Sequence, residues 1–83
     1  MKVTVRYFAS IREAIGQGSE TVETSASTLG ALRDELIARG GAHAASLARG
    51  KAVRMALDQV MAGEDAPLAE GAEVAFFPPV TGG

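Results

Sequence analysis

The sequence contains no cysteine and no tryptophan, a single histidine and only three prolines. Without cysteine there are no disulfide staples, no thiolate metal ligands and no cysteine nucleophile. The one histidine, His43, cannot furnish a transition-metal site alone and joins no recognisable Ser-His-Asp set. Its Ala-rich surroundings read as a surface or loop position. Basic charge is scarce as well: eight Lys and Arg against ten Asp and Glu leave a formal −2, with no basic run to neutralise phosphates. No apolar run approaches the roughly 20 residues that span a bilayer. The start, MKVTVRYF, alternates where a signal peptide would be continuously apolar. The expectation is a soluble, cytoplasmic protein that binds neither nucleic acid nor membrane. Neither GQGSE nor the final GG is a phosphate loop, because no lysine follows at the required spacing.

What is present is an ordinary globular composition, 47% hydrophobic and 22% charged, in 83 residues. That length makes one domain with a modest core and little chain to spare for a deep pocket. In KVTVRYF, Val3, Val5 and Tyr7 alternate with Thr4 and Arg6, which predicts a half-buried first strand. Ser10 with Glu13 three residues later fits a capping box for a short helix, and Gly16 is its stop. SETVETS reads as a second strand anchored by Val22. In STLGALRDELIARGG, Leu29, Leu32, Leu36 and Ile37 fall at helical spacing, with Ser27 or Thr28 as cap and Gly40-Gly41 as terminator. Gly30 inside that helix marks a close approach. AHAASLARGK is expected to be loop with at most a helical turn.

AVRMALDQVMAGED reads as strand, turn and strand, with Asp58-Gln59 turning between Leu57 and Val60. EVAFF is the last strand, with Val74 and Phe76 toward the core and Ala75 and Phe77 toward the other face. Pro78 and Pro79 cannot donate to a ladder, so the sheet ends there. The acidic residues Asp34, Glu35, Glu64, Asp65 and Glu70 read as solvated faces and turns. This order predicts an α+β, two-layer β-grasp (ubiquitin-like) arrangement: a mixed sheet of about four to five strands, terminal strands paired in the middle, and one main helix across one face. Residues 1–77 would form that domain and 78–83 a flexible Gly-Gly tail.

The chain's end reads either as a plain disordered terminus or as a segment shaped for chemistry. The prolines stiffen the exit, Val80 and Thr81 continue extended, and Gly82 and Gly83 present backbone without side chains, a shape suited to a narrow channel in another protein. The Gly83 carboxyl is sterically open to activation. Phe77, exposed on the free face beside Met61, would suit a protein partner.

EVAFFPPVTGG closely resembles the C-terminal signature of the small, sulfur-carrier subunits of molybdopterin synthase. VRYFASIREAIG, TLGALRDEL and GKAVRMALDQ follow the same family's layout. The resemblance implies that a ubiquitin-activating-like adenylyltransferase uses ATP and Mg to adenylate Gly83. A desulfurase- or rhodanese-type donor then supplies sulfur, leaving a thiocarboxylate. Gly82, Thr81 and Val80 would enter the large catalytic subunit, where sulfur passes to cyclic pyranopterin monophosphate to build the molybdopterin dithiolene. It also implies a heterotetramer with the large subunit, a contact through Phe77, Met61 and Arg12, no cofactor bound by this chain, and no enzymatic activity in the small subunit alone. Asp58 stands where the family often has Asn, which removes any amide-specific bond there. The alternatives are a sulfur carrier for thiamine thiazole or another acceptor, a ubiquitin-like protein modifier, and a plain β-grasp binding domain.

Overall fold

The fold is described from a computed structural model, which covers residues 1–79. The predicted tail residues Val80, Thr81, Gly82 and Gly83 lie outside the described residues.

Alternation places the first strand. In β1 (Lys2–Tyr7), Val3, Val5 and Tyr7 are buried while Lys2, Thr4 and Arg6 face solvent. The chain then turns sharply, because Phe8 is extended and Ala9 adopts a left-handed φ of 53°. Helix α1 (Ala9–Ile15) therefore begins two residues earlier than the Ser10 cap would require. Phe8 occupies the cap position without a side-chain bond, and Ser10 lies inside the helix, so the predicted capping box does not form. The stop is as expected: Gly16 takes the left-handed conformation, and its N–H donates to the Arg12 carbonyl at 2.9 Å. Strand β2 (Ser19–Glu23) returns antiparallel to β1, with Val22 opposite Val3.

Helix α2 (Leu29–Ile37) starts at Thr28, whose hydroxyl accepts from the Ala31 N–H at 3.2 Å. Leu29, Leu32 and Leu36 are fully buried against the sheet, each contributing about 1.5–3 kcal/mol of apolar burial. The helix ends at Ala38 in a right-handed conformation, ahead of the glycine pair. Gly40 and Gly41 instead bend the chain straight into a further helix, α3 (Gly41–Leu47), where the sequence predicted a loop. Leu47 is the buried anchor of α3.

Strands β3 (Arg54–Leu57) and β4 (Val60–Ala62) form a hairpin. Its turn residues, Asp58 and Gln59, both have positive φ, 49° and 70°, as a two-residue hairpin loop of matching twist requires. Strand β5 (Glu73–Phe77) closes the sheet, with Val74 and Phe76 completely buried. The strand order is β2-β1-β5-β3-β4, and β1 and β5 run parallel at the centre while every other pair is antiparallel. This is the expected mixed β-grasp sheet, with α1 and α3 joining α2 on the buried side.

Candidate functional site

The site is built by the pleat of β5. Burying Val74 and Phe76 sends Ala75 and Phe77 to the opposite, open face. Strand register then assembles a row across that face: Arg6, Ala75, Ala56 and Met61 lie opposite one another in turn. Phe77 stands opposite Arg54 on β3. Met61 is 56% exposed on the outer strand, and Phe77 is partly covered. Phe77, Pro78 and Pro79 join Phe8, Ala9 and Ala75 around an almost wholly apolar hollow at the point where the chain leaves the sheet.

Phe8 was not singled out from the sequence, yet the signal was there. It shares the parity of Thr4 and Arg6 in the first strand's alternation, which directs it to the open side. It is 38% exposed. The Arg6 guanidinium lies 5.3 Å from its ring centroid, a cation–π contact. The positive φ of Ala9 turns the chain away directly after it.

Of the residues expected at an interface, Phe77 and Met61 share this face. Arg12 does not join them directly. It is exposed on α1, in a neighbouring hollow with Glu13, Gly16 and Gln17, and only Ala9 borders both hollows. Its guanidinium lies along Gly18, where an added Cβ would sit 3.2 Å from Nε.

Beneath the face lies a polar cluster. Tyr7 stacks on Phe76 at 6.3 Å, and its hydroxyl donates to Glu20 at 2.7 Å. Arg39 donates to the other Glu20 oxygen at 2.8 Å. His43 is no free loop residue: it lies on α3, largely buried, edge-on to Tyr7, with Nε2 3.0 Å from Glu20. Burial alone would raise the Glu20 carboxyl, but the bonds from Arg39, His43 and Tyr7 outweigh it and hold the group at about 2. Burial, reinforced by the Glu20 carboxylate, pushes the Tyr7 phenol above its ordinary value.

The carboxylates expected to be merely solvated are mostly engaged. Arg49 donates to Asp34, to Glu64 and, at 3.0 Å, to the Gly30 carbonyl. Glu35 accepts from the buried Thr24 hydroxyl at 2.6 Å, and Glu70 accepts from the Lys2 N–H. Asp58 accepts from the Glu73 N–H at 3.0 Å, a bond its carboxylate makes as well as an amide would. Among the described residues no cluster of three or more His, Cys, Asp or Glu could hold a metal ion, and no helix is long and apolar enough to cross a membrane. The open apolar face around Phe77 is the candidate site, and the side chains it offers are those of a docking surface.

Comparison with known proteins bears on what docks. A model of the ThiS family matches residues 5–83. The chain is 41% identical over 81 residues to the molybdopterin synthase sulfur carrier subunit of Escherichia coli, covering 98% of this chain and 99% of that one. The subunit of the same name from Haemophilus influenzae is 37% identical over the same shares. Among solved structures, SAMP1 from Haloferax volcanii superposes with a TM-score of 0.80 at 26% identity, over all of both chains. A chain from the complex of subunits 1 and 2 of the molybdopterin-converting factor of Helicobacter pylori gives 0.67 at 27%, also over all of both chains.

Proposed function

The chain belongs to the ThiS family, and on that premise we propose that it is a sulfur carrier of molybdenum-cofactor biosynthesis, acting as the small subunit of a molybdopterin synthase. The observation that carries this reading is the near-complete, high-identity match to the E. coli sulfur carrier subunit. The apolar face around Phe77, at the root of the residues that follow Pro79, gives it a physical basis.

The finer chemistry is part of the proposal. A Gly83 carboxylate oxygen attacks the α-phosphorus of Mg-ATP on an adenylating partner, and pyrophosphate leaves. Hydrosulfide supplied by the donor then attacks the acyl carbon, AMP leaves, and loss of the S–H proton gives the thiocarboxylate. Inside the large subunit the thiocarboxylate sulfur displaces an oxygen substituent from a carbon of the cyclic pyranopterin monophosphate, the C–S bond forming as a C–O bond breaks. Water cleaves the acyl C–S bond and returns Gly83 as carboxylate. Two sulfurs are required, so the carrier cycles. A thiocarboxylate is ionised near neutral pH and needs no base from this chain, which agrees with a site made of docking groups. Residues 78–83 serve as the inserted tail, with Val80 and Thr81 leading in and Gly82 passing where a Cβ would clash.

A second reading has its own support in the likeness to SAMP1, whose structure bears the name of a small archaeal modifier protein. In that reading Gly83 is joined to lysine amines of other proteins.

The deciding experiment is intact mass after incubation with a candidate adenylating enzyme, Mg-ATP and a sulfide source. The proposal expects a gain equal to exchanging one oxygen for one sulfur, located to Gly83. No gain, with the enzyme active on its own carrier, would overturn it. Thiol-resistant ladders on denaturing gels would favour the modifier.

A further inference from the structure

The six arginines divide into three that are held on the helix side and three that are not. Arg33, Arg39 and Arg49 lie on the helix side, and each is held. Arg33 is buried and donates to the carbonyls of Leu47, Ala48 and Lys51, Arg39 donates to Glu20, and Arg49 bridges Asp34 and Glu64. Of the other three, Arg6 and Arg54 lie on the docking face and Arg12 beside it on α1. Arg6 has a loose 3.7 Å pairing with Glu73 and spends its guanidinium on the Phe8 ring. Arg54, exposed and directly across the strand pair from Phe77, makes no ion pair among the described residues. The same holds for Arg12 on α1, whose acidic neighbour in its hollow is Glu13. The net charge of −2 therefore conceals a positive rim around an apolar centre.

We propose that this face fits a partner protein that is apolar at the centre and carries carboxylates at the rim where Arg54 and Arg12 arrive, with Arg54 the residue that selects for them. The inference rests on the reading that the partner is the synthase large subunit. Charge complementarity argues for this occupant. A second copy of this chain would bring the same arginines against one another, and like charges juxtaposed at a rim are costly. A nucleic acid would meet too few cations and an apolar centre unsuited to phosphates. At a rim, a carboxylate facing Arg54 stays partly hydrated. It therefore acts mainly on the rate of encounter and on the exclusion of wrongly charged partners, while Phe77 and its neighbours set how long the complex lasts.

The test is the association and dissociation kinetics of the full chain with the large subunit, from low salt to about 1 M, where charges more than about 3 Å apart are screened. The variants are Arg54→Gln, Arg54→Glu and Phe77→Ala. Arg54 is exposed, so both substitutions should leave the thermal melt unchanged. Arg54→Glu is expected to slow association about tenfold at low salt, and Arg54→Gln by a smaller factor, with dissociation little altered and the difference vanishing at high salt. If both Arg54 variants keep the wild-type association rate and salt slope while Phe77→Ala hastens dissociation, the acidic-rim inference is overturned and the proposed function stands. If the unaltered chain does not bind the large subunit at any salt, both fall.

Discussion

The Tyr7 hydroxyl and the Glu20 carboxylate, facing each other across the first two strands, meet in a 2.7 Å hydrogen bond roofed by Arg39 and His43. Through this pair α2 and α3 are tied to the sheet directly behind Phe76, the core neighbour of Phe77. Replacing Glu20 with Ala should cost about 2 kcal/mol, because three donors lose a charged acceptor at once. Urea denaturation at neutral pH measures it.

The same pair sets an acid limit. Glu20 is held at about 2 in the folded protein against an ordinary value of 4.5, so the unfolded chain binds the proton more readily. Its contribution is complete above about pH 4.5 and is lost as pH falls toward 2. Thermal melts should therefore drop across that window in the wild type. In Glu20→Gln the drop should be shallower, from a lower starting stability.

Arg33 is a buried cation spent on three carbonyls at the end of α3. Arg33→Met would remove all three donors and leave Glu64 without its 3.6 Å partner. The expected loss is about 3 kcal/mol. Amide exchange should quicken chiefly over residues 41–51, a locality that a general loosening of the core would not show.

Gly30 sits under Glu64. A Cβ there would come within 2.9 Å of Oε1, 3.0 Å of the Glu64 Cβ and 3.2 Å of its carbonyl oxygen, which already accepts the Gly30 N–H. Alanine would gain about 1 kcal/mol of helix propensity and lose about 1–3 to overpacking. The expected outcome for Gly30→Ala is a net destabilisation of about 1 kcal/mol by denaturant titration. A more stable variant would show that the Glu64 segment yields freely.

Phe77→Ala should leave the fold intact, since the ring lies on the open face and contributes little to the core. Binding of the large subunit should weaken by about 2 kcal/mol, roughly 30-fold, as for a central aromatic anchor. Calorimetric titration reads this directly, and Phe8→Ala should weaken binding by the same route.

The parts of the fold that were legible in the sequence are those set by neighbours close along the chain. The alternation of Val3, Val5 and Tyr7, the Thr28 cap, the Asp58-Gln59 turn and the two faces of EVAFF are all local signals. Helix α3 was not legible, because its seven residues include one strongly apolar anchor, Leu47, and its end is held by Arg33 from 14 residues away. His43 was misjudged for the same reason: its partner, Glu20, is 23 residues distant and on another element. The Ser10-Glu13 pattern was present but lost to the Phe8-Ala9 turn, which starts the helix early. At the site, Phe77 and Met61 were reachable from pleat and register, whereas Arg12 lies beside the face because α1, not the sheet, carries it.

The central position of β5 has a consequence for the chain's synthesis. The strand that completes the sheet, between β1 and β3, is also the last to emerge from the ribosome. Until Glu73–Phe77 are available, β1 lacks its parallel neighbour, and Val5 and Tyr7 lack Val74 and Phe76. Folding thus waits for the fifth strand, as a sheet closed by its most distant contacts must. A product that terminates before Glu73 lacks the central strand. It stays unfolded and open to proteolysis.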